Sequence, residues 1–134
     1  MLFRSRISTI AGATDIPPNY DGLVSGSYGG DGGPATEAFL NFPTEVLLDA
    51  EQIVLIADSS NGRVRSVDRD GTIATIAGGG SEPPADGVPA TSVSLAGGPT
   101  GMAFDGAGNL LICEERAHRV WRLIATSALR STGA

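Results

Sequence analysis

The stretch NFPTEVLLDAEQIVLIADSSNGRVRSV, residues 41–67, returns at residues 97–123 as GGPTGMAFDGAGNLLICEERAHRVWRL. Every position of the second copy lies 56 residues after its counterpart, so that Pro99 aligns with Pro43 and the copies need no gap. Self-similarity at a fixed spacing is typical of repeat proteins, in which one structural unit recurs along the chain. The sequence therefore predicts an architecture built from repeated units.

A second pair of copies flanks the first. The segment ISTIAG at residues 7–12 returns as IATIAG at residues 73–78, after 66 residues rather than 56. The spacings differ because the connection at 12–43 is about ten residues longer than the connection at 78–99. Both connections carry a related motif, GDGGPAT in the first and ADGVPAT in the second. A constant frame with connections of variable length again indicates a repeat protein.

Each copy carries the signals of short β-strands. The runs IVLIAD and LLICEE are almost continuously apolar, as expected of strands buried on both faces. The runs RVRSVD and RVWRLI alternate, TIATIA is β-branched, and the turn sequences DAEQ, DGAG and DRDG separate the runs. No stretch has an apolar stripe of helical period over three turns. We therefore predict an all-β chain of four-stranded antiparallel meanders.

These motifs resemble the NHL repeat. The resemblance rests on PTGMAFDGAGNLLIC, on LIADSSNGRVRSVDRDGTIATIAG and on the preceding GDGGPAT, and it covers about residues 5–124. It implies a β-propeller, which in this family typically has six blades. The chain departs from the family pattern at Glu45, where a glycine is expected and where Gly101 supplies it in the second copy. The second copy also has Glu114 in place of the usual aspartate and lacks a counterpart of Asn61.

The predicted strands amount to about two blades of an incomplete propeller. We expect a single propeller segment, residues 1–134, with an outer strand of a preceding blade at 7–11, a complete blade at 44–77, three strands of the next blade at 100–124, and inter-blade linkers at 12–43 and 78–99. Closed propellers need at least four blades. The chain is therefore either part of a longer propeller or a self-assembling unit. In the second case three chains would pass the outer strand onward and close a six-bladed ring. Residues 125–134 could instead form a degraded outer strand, which would weaken that exchange model.

The composition limits the classes of partner. The net charge is −6 and all nine cations are arginine, and such an acidic balance argues against a nucleic-acid surface. No apolar run reaches the roughly 18 residues of a membrane span, and the N-terminal residues lack a signal-peptide core. We therefore expect no membrane partner, and the compartment stays unknown. The single cysteine, Cys113, lies in the apolar run LLIC and is predicted to be a buried, inert thiol.

The glycine-rich linker motif favours a structural role. A phosphate-binding loop would need a strand before it and a helix after it, and neither is predicted here. We expect the glycines to allow positive φ, Asp31 to bond nearby backbone amides and Pro34 to stiffen the exit from the loop. Four arginines are a further candidate binding site, because they could form a basic rim for a carboxylate or RNA. Acidic residues lie close by in the sequence, so we expect these arginines to form salt bridges within the chain instead. These arginines are Arg63, Arg65, Arg119 and Arg122.

The long connections predict where function is located. In an up-and-down meander, the connection after the second strand and the linkers between blades emerge at one end, and loops on a rigid scaffold commonly carry function. We call this end the loop face. Its candidate binding residues are Tyr20, Tyr28, Asp58, Asn61, Arg63, Glu114, Arg116, His118 and Arg119. Glu45, on a first strand near the axis, is a candidate for lining the central channel.

We expect a non-catalytic propeller module that binds a protein or peptide through its loop face, with no catalytic residues, no cofactor and no metal. The alternative, which the family resemblance implies, is a lyase or lactonase-like propeller enzyme with a divalent metal at an axial site. A single histidine, His118, cannot supply the three histidine ligands of such a site. RNA binding, as in some relatives of the family, is a third class, and the acidic balance makes it the weakest hypothesis.

Overall fold

The computed structural model describes residues 5–13 and 28–124, which form two antiparallel β-sheets. The prediction of an all-β chain is confirmed, because the described residues contain seven strands, three short 3₁₀ turns and no α-helix. The first sheet contains β1 (Pro43–Leu48), β2 (Val54–Asp58), β3 (Arg63–Val67) and β4 (Ile73–Gly78). The second contains β5 (Pro99–Phe104), β6 (Leu110–Glu114) and β7 (Arg119–Leu123). The 3₁₀ turns span Ala35–Glu37, Ser59–Asn61 and Glu115–Ala117.

Both sheets are simple meanders in which each strand pairs with the next one along the chain. Three aspartates close the tight turns at one end, because each carboxylate accepts hydrogen bonds from amides two and four residues later. Asp49 accepts from Glu51 and Ile53, each at 2.9 Å. Asp68 and Asp105 repeat this arrangement in the turns that precede β4 and β6. The opposite end carries the linkers that precede each sheet and the short β2–β3 and β6–β7 connections, which contain 3₁₀ turns.

The main core lies between the two sheets. Because side chains of a strand alternate between its faces, the residues in register on one face of each sheet pack together. From the first sheet the core takes Leu55, Ala57, Val64 and Ala77, and the turn residue Ile53. The second sheet contributes Met102, Leu110 and Ile112, and the linker between the sheets adds Val93 and Leu95. The two sheets therefore stack face to face around one shared apolar layer.

A smaller core covers the opposite face of the first sheet. Ile56, Val67 and Ile73 pack there against Ala35 and Ala38 of the linker that precedes β1. Residues 29–40 of this linker thus form a folded layer on the first sheet, which buries the side of the outer strand β4.

The two outward flanks of the stack remain apolar and exposed. On the first sheet, Val46 and Leu48 are 65% and 55% exposed. On the far face of the second sheet, Val120 is 65% exposed and Cys113 is exposed as well. The prediction of a buried Cys113 is therefore wrong, since its side chain points to a flank that no other described sheet covers. Ring closure and the number of blades stay predictions.

Residues 5–13 contain no strand, although we expected an outer strand at 7–11. A strand requires a ladder of hydrogen bonds to a neighbouring strand, and no described strand pairs with residues 7–11. Its end is nevertheless held in place, because the amides of Gly12 and Ala13 donate to the carbonyls of Ala35 and Ala38 at 2.9 and 2.8 Å. The predicted segment 125–134 lies outside the described residues.

Candidate functional site

The loop face is formed by the connections between β2 and β3 and between β6 and β7, together with the starts of β1 and β5. We expected these two connections to be long, but each has four residues and is no longer than the turns at the other end. The 3₁₀ turns in these connections end in left-handed residues, Gly62 with φ of 60° and His118 with φ of 55°. Each connection is tied to the start of its sheet by backbone hydrogen bonds, from Ser60 to Asn41 at 2.9 Å and from Glu115 to Gly98 at 3.2 Å. The loop face is therefore anchored at several points.

A completely buried arginine, Arg65, joins this face to the preceding linker. Its guanidinium donates to Asp31 at 2.8 and 3.0 Å, to Asp58 at 2.9 Å, and to the carbonyls of Gly29 and Phe39, each at 3.1 Å. A guanidinium has five N–H groups, so every donor has a partner. Arg65 therefore cannot take part in the expected basic rim, because its charge is neutralised inside the protein.

Asp31 is the linker residue that meets this guanidinium. Its carboxylate also accepts from the hydroxyl of Tyr28 at 2.8 Å and from that of Thr75 at 2.6 Å. Burial acts to raise the pKa of Asp31, but the hydrogen bonds from Thr75 and Tyr28 and the charge of Arg65 outweigh it, so the pKa lies below its usual value. We expected Asp31 to accept from backbone amides, whereas its partners in the structure are side chains.

The other carboxylate at Arg65 belongs to Asp58, which is also fully buried. Asp58 accepts from the amide of Asn41 at 2.7 Å and from the side-chain amide of Asn61 at 2.8 Å. Asp58 and Asn61 were both candidate binding residues on the loop face. The buried carboxylate of Asp58 is not accessible to a partner, and it holds the entry of β1 against the end of β2.

The second sheet contains a counterpart of this arrangement. Glu114, 56 residues after Asp58, is 3% exposed and accepts from the amide of Gly97 at 3.2 Å. It also accepts from the indole N–H of Trp121 at 3.2 Å. Glu114, a further candidate for binding, therefore has a structural role like that of Asp58, because burial and internal donors occupy its carboxylate.

The remaining candidates are accessible. Tyr28 is 43% exposed, and the guanidinium of Arg63 lies over its ring at 3.3 Å from the ring centre. Arg116 and His118 are exposed on the β6–β7 connection. Arg119, the first residue of β7, is exposed as well and lies 5.5 Å from the ring centre of Trp121. These stacked cations and aromatic rings form the accessible part of the loop face. Tyr20 lies outside the described residues.

Glu45 connects the innermost strands of the two sheets. Its carboxylate accepts from the amide of Met102 on β5 at 3.0 Å, beside Gly101. The neighbouring hydroxyl of Thr44 donates to the carbonyl of Thr100 at 3.1 Å. Glu45 is half-buried, and its hydrogen bond to Met102 is a cross-link between the two sheets.

Within residues 5–13 and 28–124, no three histidine, cysteine or acidic side chains are grouped so that they could hold a metal ion. No helix in the described part of the chain is long and apolar enough to cross a membrane. A comparison with protein-family models found no match, and neither did a comparison with curated proteins. The arrangement of side chains is therefore the basis for the functional proposal.

Sequence reasoning missed the central role of Arg65. In the alternating run RVRSVD an arginine is expected to point to solvent, and its partner Asp31 is 34 residues away. One signal was present in the repeat, because Arg65 aligns with Trp121, an aromatic residue whose side chain packs against the core between the sheets. A side chain that points into the protein in one copy indicates that the side chain at the equivalent position of the other copy does so too.

Proposed function

We propose that this chain is a non-catalytic propeller segment of the NHL type that binds a protein or peptide partner through its loop face. The observation that supports it is the division of charge on that face. The carboxylates of Asp58 and Glu114 are buried and accept hydrogen bonds from groups within the chain. Arg116, His118 and Arg119, by contrast, are exposed. An acidic chain thus presents two accessible arginines, with a histidine between them, at its loop end.

The chemistry of this cluster favours a partner with carboxylates. Arginine guanidinium groups bind carboxylates through paired N–H donors, and aromatic neighbours add contact area. Arg63 lies over Tyr28, and Arg119 lies near Trp121, so two cations are already positioned by rings. Glu115 is exposed in the same connection and sets a limit on how acidic a bound segment can be at that point. The proposed ligand is an acidic peptide segment.

The test uses fluorescently labelled hexaglutamate and hexalysine peptides as probes. Anisotropy titrations at low salt are expected to show that hexaglutamate binds and hexalysine does not. The double substitution Arg116→Ala and Arg119→Ala should weaken hexaglutamate binding by at least tenfold, because it removes two exposed cations from the loop face.

The matched control is Arg69→Ala combined with Arg122→Ala. Arg69 lies in the β3–β4 turn at the opposite end and is exposed, and Arg122 is exposed on β7 away from the β6–β7 connection. This control removes the same net charge. If both double variants weakened binding equally, the binding would follow total charge, and the assignment to the loop face would be rejected.

A further inference from the structure

An open apolar groove runs along the outer edge of the second sheet. It lies between β7 and the linker residues 84–90, and its volume is about 990 Å³. Clefts that hold drug-sized molecules reach about 1,000 Å³, so this groove is at the upper end of that range. In the described part of the chain β7 pairs with β6 alone, so that its other edge faces the groove.

In the first sheet the same place is filled by a strand. β4 pairs with β3 on one side and with the preceding linker on the other. Gly32 donates to Ile73 at 2.8 Å, Ile73 donates back to Gly33 at 3.1 Å, and Ala35 donates to Gly71 at 2.7 Å. The linker motif GDGGPAT thus serves as a second hydrogen-bonding edge for the outer strand. Its echo ADGVPAT borders the groove of the second sheet.

The apolar lining of the groove matches the site that buries Ile73. That side chain is completely buried among residues of the smaller core, which are Ala35, Ala38, Ile56 and Val67. The repeat assigns each of them a counterpart, at Ala90, Val93, Ile112 and Leu123, and all four line the groove. The groove therefore contains a ready pocket for the first isoleucine of an outer strand.

The segment 7–12 has the sequence and the anchoring of such a strand. It repeats β4 as ISTIAG against IATIAG, and Ile7, the counterpart of Ile73, is 100% exposed. Gly12 donates to the carbonyl of Ala35 at 2.9 Å, just as Gly78 donates to that of Ala90 at 2.8 Å. Both glycines have positive φ, 99° and 78°. The chain therefore passes from segment 7–12 into the first linker with the same local geometry as from β4 into the second linker.

We propose that the groove binds residues 7–12 of a second copy of this chain as the fourth strand of the second sheet. Within one chain this segment is anchored at Ala35 and Ala38, on the face of the first sheet that points away from the second. Its own groove is therefore on the far side of the stack, so a segment 7–12 that enters this groove belongs to another copy. Strand addition of this kind supplies backbone hydrogen-bond partners along the edge of a sheet.

The flanks of the stack fit the same arrangement. A donor chain that inserts residues 7–12 brings the outward face of its first sheet towards the far face of the acceptor's second sheet. The exposed Val46 and Leu48 of one copy then meet the exposed Val120 of the next. This contact is heterologous, so copies add head to tail until the ring closes. Three copies would supply six blades.

The register of the inserted strand follows from that of β4. In the first sheet Val67 is opposite Ile73 and Ser66 is opposite Ala74. The repeat therefore places Ile7 opposite Leu123 and Ser8 opposite Arg122. Directly opposed residues in antiparallel strands lie about 4.5–5.5 Å apart at Cα, which is within the range that a disulfide spans.

The experiment mixes two chains that each carry Cys113→Ser. One carries Ser8→Cys and the other Arg122→Cys, and both positions are exposed. After mild oxidation we expect a mixed disulfide between the two chains, identified by mass spectrometry of the linked peptides. The matched control replaces Arg122→Cys with Ala103→Cys, an exposed residue of the same sheet that is two strands away from the groove. It should yield at least tenfold less mixed product.

Light scattering on the unmodified full chain provides a second measurement. A mass that is a multiple of the chain, and that falls to one chain on Ile7→Asp, supports the proposal, because the charge cannot enter the apolar pocket. A single-chain mass at all concentrations, together with no disulfide between the Ser8→Cys and Arg122→Cys chains, would overturn it. An equal yield from the Ala103→Cys control would overturn it as well, since random collision would then explain the product.

Discussion

Trp121 occupies in the second sheet the place that Arg65 occupies in the first, and each donates a hydrogen bond to the acid that ends the second strand of its sheet. Arg65 needs a second carboxylate from the linker, Asp31, whereas the neutral indole of Trp121 needs none. Asp58 and Glu114 also accept the amide at the entry of their sheets, from Asn41 and Gly97. The two repeats thus preserve the acid and its backbone partner and differ in the donor.

Arg65→Met is expected to destabilise the chain strongly. It would leave the buried Asp58 without its cation and Asp31 without its main partner, and removal of one member of a buried pair costs about 3–5 kcal/mol. The control Arg122→Met removes an exposed arginine 3.6 Å from Asp105 and should cost less than about 1 kcal/mol. Urea denaturation measures both free energies of unfolding. Similar losses for the two variants would contradict the structural role of Arg65.

Gly30→Ala is expected to displace the linker that carries Asp31. Gly30 has φ of 93°, and a Cβ there would lie 2.6 Å from the Cα of Ala38. We expect a loss of about 3 kcal/mol from strain and overpacking. Gly32→Ala is the matched control, because Gly32 has φ of 85° but open space around it, and it should cost about 1 kcal/mol. Thermal unfolding of the two variants would show whether this order holds.

Asp31→Asn should reduce the loss of stability in acid. The pKa of Asp31 is lowered in the folded chain, so between that value and the ordinary value the unfolded chain binds more protons. The stability that Asp31 contributes is therefore present above about pH 4 and is lost as the pH falls through the folded pKa. The difference in free energy of unfolding between the parent and Asp31→Asn should shrink from pH 6 to pH 3. A difference that stays constant over this range would refute the linkage.

Opposite effects are expected at the two equivalent turn ends. His118 has φ of 55°, which is unfavourable for a side chain, so His118→Gly should stabilise the chain by about 1 kcal/mol. Gly62 occupies the same place in the first copy, and a Cβ there would lie 3.0 Å from the carbonyl oxygen of Leu95. Gly62→Ala should therefore destabilise by about 1 kcal/mol or more. Denaturation midpoints that move in the same direction for both variants would reject this explanation.

The strands could be predicted because their signals are local. The apolar runs and the Asp-closed turns are complete within a few residues, and the repeat made each prediction twice. The network of Arg65 depends on a linker residue 34 positions away, and no local pattern indicates that distance. The burial of Cys113 was mispredicted for a related reason, because an apolar strand shows which faces can be covered and not whether a neighbour covers them.

The bond between Asp58 and the amide of Asn41, repeated by Glu114 and Gly97, connects residues only 17 positions apart. Each copy therefore includes both partners of the hydrogen bond that holds the start of its first strand to the end of its second strand. A tandem duplication of one such period would therefore carry both partners of this hydrogen bond into the new copy. Insertion of part of a period would instead separate the acid from its amide, so the repeat favours lengthening of the chain by whole periods.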